Sequence, residues 1–160
     1  MRKIDSQTGG RLPAPGEGKR GEDGYVGYLL RQAANAYQNH LARVLDDLDV
    51  TPPQFSVMTM IAAYPGLSNA DIARLSFLTP QTVSVIIGNL VKAGVVARRP
   101  HEIHGRIQHL DLTDKGQRLL WSARERVHAV ENELVKGASA ADLKMLKHWL
   151  AGVSSKLTPD

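Results

Sequence analysis

The stretch SNADIARLSFLTPQTVSVIIGNLVKAG, Ser68 to Gly94, decides how the rest of the chain is read. It reads as two short helices with a tight corner between them. Ser68 is placed to cap the first helix, and Asp71 sits three residues on as its reciprocal partner in a first turn that favours acids. Ile72, Ala73 and Leu75 give that helix a brief apolar face. The corner from Ser76 to Pro80 ends it, and Thr79-Pro80 opens the second helix with a capping hydroxyl followed by proline at the first helical position. Val83, Ile86, Ile87 and Leu90 then fall at the i, i+3, i+4, i+7 spacing of a buried stripe. The opposite side carries Gln81, Ser84, Val85 and Gly88, small and mostly uncharged, and Gly94 stops the helix. This is the pattern of a helix-turn-helix, which presents its second helix to a DNA major groove.

The residues that follow extend the motif. Val95 to Arg99 is a β-branched strand turning basic, Pro100 to Gly105 is turn-prone, and Arg106 to Leu112 alternates as a returning strand. Two helices followed by a basic hairpin make a winged helix. At ADIARL, LTPQTVSVIIGNLVKAGVVARR and the closing LDLTDKG the chain resembles the MarR family of winged-helix transcriptional regulators. The resemblance covers roughly Tyr25 to Ser154. There are two departures. The family often has arginine just after the TVS-like triplet, where this chain has Val85. The wing usually carries Asp-x-Arg, and here His104-Gly105-Arg106 keeps the arginine and loses the acid.

The 160 residues suffice for one compact domain, and 42% hydrophobic with 22% charged residues is a globular composition. A formal charge of +4 permits a polyanionic partner, but position says more than the total. From Lys92 to Arg106 there are four Lys/Arg against Glu102 alone, a cluster that beside a helix-turn-helix is more than a solvated surface. Cysteine is absent, which excludes disulfides, thiolate metal sites and a thiol sensor. No apolar run nears the ~18 residues of a membrane span, and the start of the chain has no apolar signal region, so a cytoplasmic protein is expected.

Residues 1–24, with six Gly, two Pro and mixed charges, are expected to be a disordered tail. Residues 25–156 are expected to form a single domain. In it, a winged helix at about 52–112 lies between long apolar-striped helices at about 25–48 and 113–156. The fold class is thus mainly α. An intramolecular core could absorb the terminal stripes; the resemblance implies instead that these helices form the dimerisation region of a homodimer. Thr51-Pro52-Pro53-Gln54 is a capping box with proline in the first turn.

For double-stranded DNA, the expected base-reading residues are Gln81, Ser84 and Val85, with Thr82 and Pro80 beside them. Gln pairs bidentately with adenine, and a valine packs on a thymine methyl. Thr82 serves equally well as a group satisfying nearby backbone. Arg98, Arg99 and Arg106 are the candidate affinity residues, with Arg74 and Lys92 as phosphate contacts and His104 in place of the lost wing acid. An alternative pairs Arg98 with Asp111 or Glu102 across the hairpin. His101 and His104 lie three apart in a turn, which is not helical metal-ligand spacing, and neither a catalytic constellation nor a phosphate loop is present. No metal, cofactor or enzymatic activity is expected. The resemblance implies an effector pocket for small aromatic or phenolic acids. Tyr28, Arg31, Tyr37, Phe55, Met58 and Trp121 are its candidates, although each also reads as core or as a snorkelling side chain. The implied function is a ligand-responsive repressor on a pseudo-palindromic operator; the rival is a ligand-binding or scaffolding helical dimer that does not read DNA.

Overall fold

The computed structural model describes residues 12–100 and 108–157, and divides them between two compact units, Met1–His40 and Leu41–Asp160. In the first unit a 3-10 turn at Gly18–Arg20 precedes α1 (Val26–Leu45), the helix that runs on into the second unit. Arg20 Nε donates to Gln32 Oε1 at 3.0 Å, and its Nη1 donates to the Pro13 carbonyl at 2.7 Å, fixing that turn against the helix start. The rest of the expected tail, residues 1–11, lies outside the described residues.

The second unit opens with the last turn of α1, where Leu41 and Leu45 are buried. A 3-10 turn at Asp46–Leu48 ends with Asp49 in the left-handed region at φ 52°, a conformation Asp tolerates. Next come α2 (Pro52–Ala63), α3 (Asn69–Ser76), α4 (Pro80–Lys92), β1 (Val96–Pro100), β2 (Gln108–Leu112), α5 (Asp114–Leu134) and α6 (Ala140–Leu157). The capping residues act as their sequence dictates. Thr51 with Gln54 and Ser68 with Asp71 each close both bonds of a capping box, and the Thr79 hydroxyl accepts from Thr82 N–H. At the far end of α4, Gly94 takes φ 70°, and Lys115 Nζ donates to the exposed Ala93 carbonyl at 2.8 Å.

The core gathers Leu45 from α1, Val57, Met58 and Ile61 from α2, Ile72 and Ala73 from α3, and the α4 stripe Val83, Ile86, Ile87 and Leu90. Val95, Val96 and Leu110 bring the hairpin base into it, and Leu120 and Ala123 bring α5. β1 and β2 pair antiparallel with Val96 opposite Leu112 and Pro100 opposite Gln108. The wing is tied to α5 by Thr113, whose hydroxyl donates to the Gly94 carbonyl at 2.7 Å. Gly116 lets the two segments meet, because a Cβ there would stand 2.1 Å from the Val95 carbonyl oxygen.

Two features are not explained by core formation. α6 buries no residue, and Met145, Leu146, Trp149 and Leu150 stand open along it. In the corner between α3 and α4, Phe77 adopts φ 54°, ψ 40° while 82% exposed. For a bulky side chain this left-handed conformation costs roughly 1–2 kcal/mol, and no burial of the ring offsets it.

Candidate nucleic-acid interface

The buried stripe of α4 fixes which side of that helix faces out. With Val83 and Ile87 wholly buried, Gln81, Thr82, Ser84 and Val85 must project from the opposite face, and all four are exposed, Val85 to 64%. Pro80 starts this face and is exposed as well. Two of its hydroxyls are already engaged. Thr82 Oγ1 lies 2.9 Å from Thr79 Oγ1 within the cap, and Ser84 Oγ accepts from Asn69 Nδ2 at 3.5 Å across the helix-turn-helix. Gln81 and Val85 are therefore the candidate base contacts least involved in holding α4 together.

Basic residues frame the outward face. Arg74 on α3 is 79% exposed and 3.2 Å from Asp71, an i, i+3 surface pair that restrains the guanidinium loosely. Asp71 itself is held below the usual carboxylate range, first by the Ser68 hydroxyl and then by the Ser68 N–H, so it stays ionised at the positive end of α3. Lys92 stands exposed in the last turn of α4.

In the wing, the register sets Arg98 opposite Leu110 and Arg99 opposite His109, so the two arginines leave the ladder on opposite faces. Arg99 shares its face with Asp111, and Arg99 Nε donates to Asp111 Oδ2 at 2.7 Å. Of the two acids offered as alternative partners for Arg98, Asp111 pairs with Arg99 instead, because a period of two decides which arginine can reach it, and Glu102 lies outside the described residues. Arg99 remains 70% exposed with its charge partly answered. On the same face the His109 ring backs onto the α2–α3 turn: a Cβ on Gly66 would lie 3.3 Å from it. His104 and Arg106, the other two expected wing contacts, lie outside the described residues, as does His101.

The effector candidates are distributed as follows. Within the first unit, Arg31 lies over the Tyr28 ring at 5.8 Å from its centroid, and Tyr37 is half-buried. Within the second, Met58 is a core residue with no exposed surface, Phe55 is half-buried against the same core, and Trp121 is 65% exposed. That unit also has an open cleft of about 300 Å³ lined by Ile61, Ala62, Pro65, Arg99, Asp111, Leu112 and Gln117, none of them in the expected set. Among the described residues no group of three or more His, Asp or Glu could hold a metal ion, and no helix is long and apolar enough to cross a membrane.

Sequence reasoning missed three residues that shape this surface. Asn69 and Lys115 act through long-range partners that no local pattern reveals. Phe77 was legible only as part of a corner, since nothing in a one-dimensional pattern shows a positive φ.

A core-anchored helix with an uncharged outward face, flanked by a two-stranded basic wing, defines a winged-helix DNA-binding protein. The profile described as MarR family matches residues 48–107. The HTH-type transcriptional repressor Rv2887 of Mycobacterium tuberculosis is 30% identical over 134 residues, 84% of this chain and 96% of that protein. The chain belongs to the MarR family of transcriptional regulators, a family of regulators rather than enzymes. Solved structures similar to it include the following two. The transcriptional repressor CouR bound to a 23-mer DNA duplex has a TM-score of 0.74 at 25% identity, over 81% of this chain and 92% of that one. The Rv2887 complex with salicylic acid has a TM-score of 0.67 at 30% identity, over 82% of this chain and 98% of that one.

Proposed function

We propose that this regulator binds a pseudo-palindromic operator as a homodimer, represses transcription there, and is released by a small aromatic or phenolic acid. The observation that carries the DNA half is the α4 surface, where Gln81, Thr82, Ser84 and Val85 stand exposed on a helix whose other side is locked into the core. Two such helices related by a two-fold axis would enter major grooves about one helical turn apart. Gln81 would read adenine and Val85 a thymine methyl, while Arg74, Lys92, Arg98, Arg99, His104 and Arg106 would hold the backbone. The apolar residues left open on α6 support the dimer, and the DNA-bound CouR structure supports duplex binding. The salicylic acid complex of Rv2887 supports the effector class. Release requires that the ligand favour one spacing of the two reading helices over the other, since equal affinity shifts nothing.

Selection from a random duplex library, followed by fluorescence anisotropy of the winning site across a salt series, tests this reading. A pseudo-palindromic winner with a steep salt slope is expected, and salicylate should lower the anisotropy. Equal, weak binding to the winner and to a scrambled duplex would overturn it. Val85 in place of the usual arginine would then favour a ligand-binding or scaffolding dimer that does not read DNA.

A further inference from the structure

Phe77 is the residue of the helix-turn-helix that folding does not explain. Its backbone lies in the left-handed region at φ 54°, where a bulky side chain is strained and glycine is at ease. Its side chain gains nothing in return, being 82% exposed. The corner holding it is nonetheless firmly built. Phe77 N–H donates to the Arg74 carbonyl at 3.4 Å, Leu78 N–H donates to the Ala73 carbonyl at 3.0 Å, and the Leu78 side chain packs on the core. A strained residue on a well-determined corner, with its apolar group held in water, has the signature of a group placed for a partner.

We propose that Phe77 is a DNA-contact residue, its ring packing on the sugar and thymine-methyl edge at the lip of the major groove, beside the bases that Gln81 reads. The inference rests on the operator-binding reading above and adds a contact to it. Position and charge select DNA over a protein surface as the occupant. Phe77 lies one turn after Arg74, which is 79% exposed, and just before the start of α4, where Thr79, Pro80 and Gln81 are exposed. A cation on one side and a helix N-terminus with its partial positive charge on the other suit a polyanion. An aromatic ring between them meets the apolar parts of a duplex, the deoxyribose faces and the C5-methyl of thymine. Because the ring is uncharged, it adds affinity without releasing counterions.

The experiment compares wild type, Phe77→Gly, Phe77→Asn and Phe77→Leu on the selected duplex by anisotropy across a salt series, with thermal melting at one fixed protein concentration. Phe77→Gly relieves the backbone and is expected to melt about 2 °C higher while binding about tenfold more weakly. Phe77→Asn, which also tolerates the left-handed region, should lose a similar factor, and Phe77→Leu should stay within about threefold of wild type. The salt slope should be the same in all four. Unchanged affinity in Phe77→Gly and Phe77→Asn overturns the proposal. So does a fall of melting temperature and affinity together in both, which would make Phe77 a structural corner residue. If wild type itself selects no duplex, the operator reading falls first, and this contact with it.

Discussion

Val85 can offer a base pair an apolar contact but no hydrogen bond, and it is 64% exposed on the outward face of α4. If it packs on a thymine methyl, replacing that thymine with uracil removes a single methyl group and should weaken wild-type binding several-fold. The same base change should leave Val85→Ala unaffected, because the contact is already gone. Anisotropy on the two duplexes reads this directly, and equal losses in both proteins would exclude the contact. Arginines act differently. Arg106→Ala should weaken binding to all duplexes alike and flatten the salt slope by about one unit, the mark of a lost phosphate contact. Arg99 is in part a brace of the hairpin through Asp111, but with the pair 70% and 32% exposed its rupture should cost less than about 1 kcal/mol of stability.

At the scale of elements, α4 begins with one capping hydroxyl and carries one glycine within its length, and the two can be tested against each other. Thr79 accepts from Thr82 N–H at 3.1 Å, so Thr79→Ala should destabilise the fold by about 1 kcal/mol in chemical denaturation. A Cβ on Gly88 would meet nothing within 4 Å. Gly88→Ala should therefore stabilise the free protein by about 0.5–1 kcal/mol through helix propensity. Weaker DNA binding in that stabilised variant would mean that the glycine lets backbone approach the duplex; unchanged binding would mean it has no such role. The caps also set a pH dependence. Asp71 and Asp142 are held below the usual carboxylate range by the hydroxyls of Ser68 and Ser139 and then by their N–H groups. A lowered folded value means that this stabilisation is complete above the ordinary carboxylate range and is lost as pH falls through the folded value. Carboxyl NMR titration should show both values depressed, and Ser68→Ala should return Asp71 toward normal.

For the whole molecule, the last two helices carry apolar surface that this chain does not cover. Trp121 and Leu134 on α5, on the sides away from its core contacts, and Met145, Leu146, Trp149 and Leu150 on α6 are exposed, more large apolar side chains than helix surfaces facing water need. Under the homodimer reading, Leu146→Glu with Trp149→Glu should convert the protein to a monomer in sedimentation velocity. Operator affinity should then fall sharply, because each half-site would be bound alone. A variant that sediments as wild type would move the dimer interface elsewhere.

Much of the helix-turn-helix and its caps is determined by sequence alone. Ser68, Asp71, Thr79 and Pro80 act within four residues of themselves, and the spacing of Val83, Ile86, Ile87 and Leu90 fixes the inward face of α4 before any partner is known. The outward position of Gln81, Thr82, Ser84 and Val85 follows from it. What depends on distant atoms had to wait for the tertiary structure. Asp111 goes to Arg99 rather than Arg98 because the hairpin register places them on one face. Gly116 is required because Val95 O crosses where a Cβ would stand. Met58 is a core residue because α2 turns it inward, where its composition alone served equally for a pocket wall. Phe77 is strained because the closing of the α3–α4 corner sets its φ, and backbone angles of that kind follow from how two helices pack, not from the identity of the residue between them.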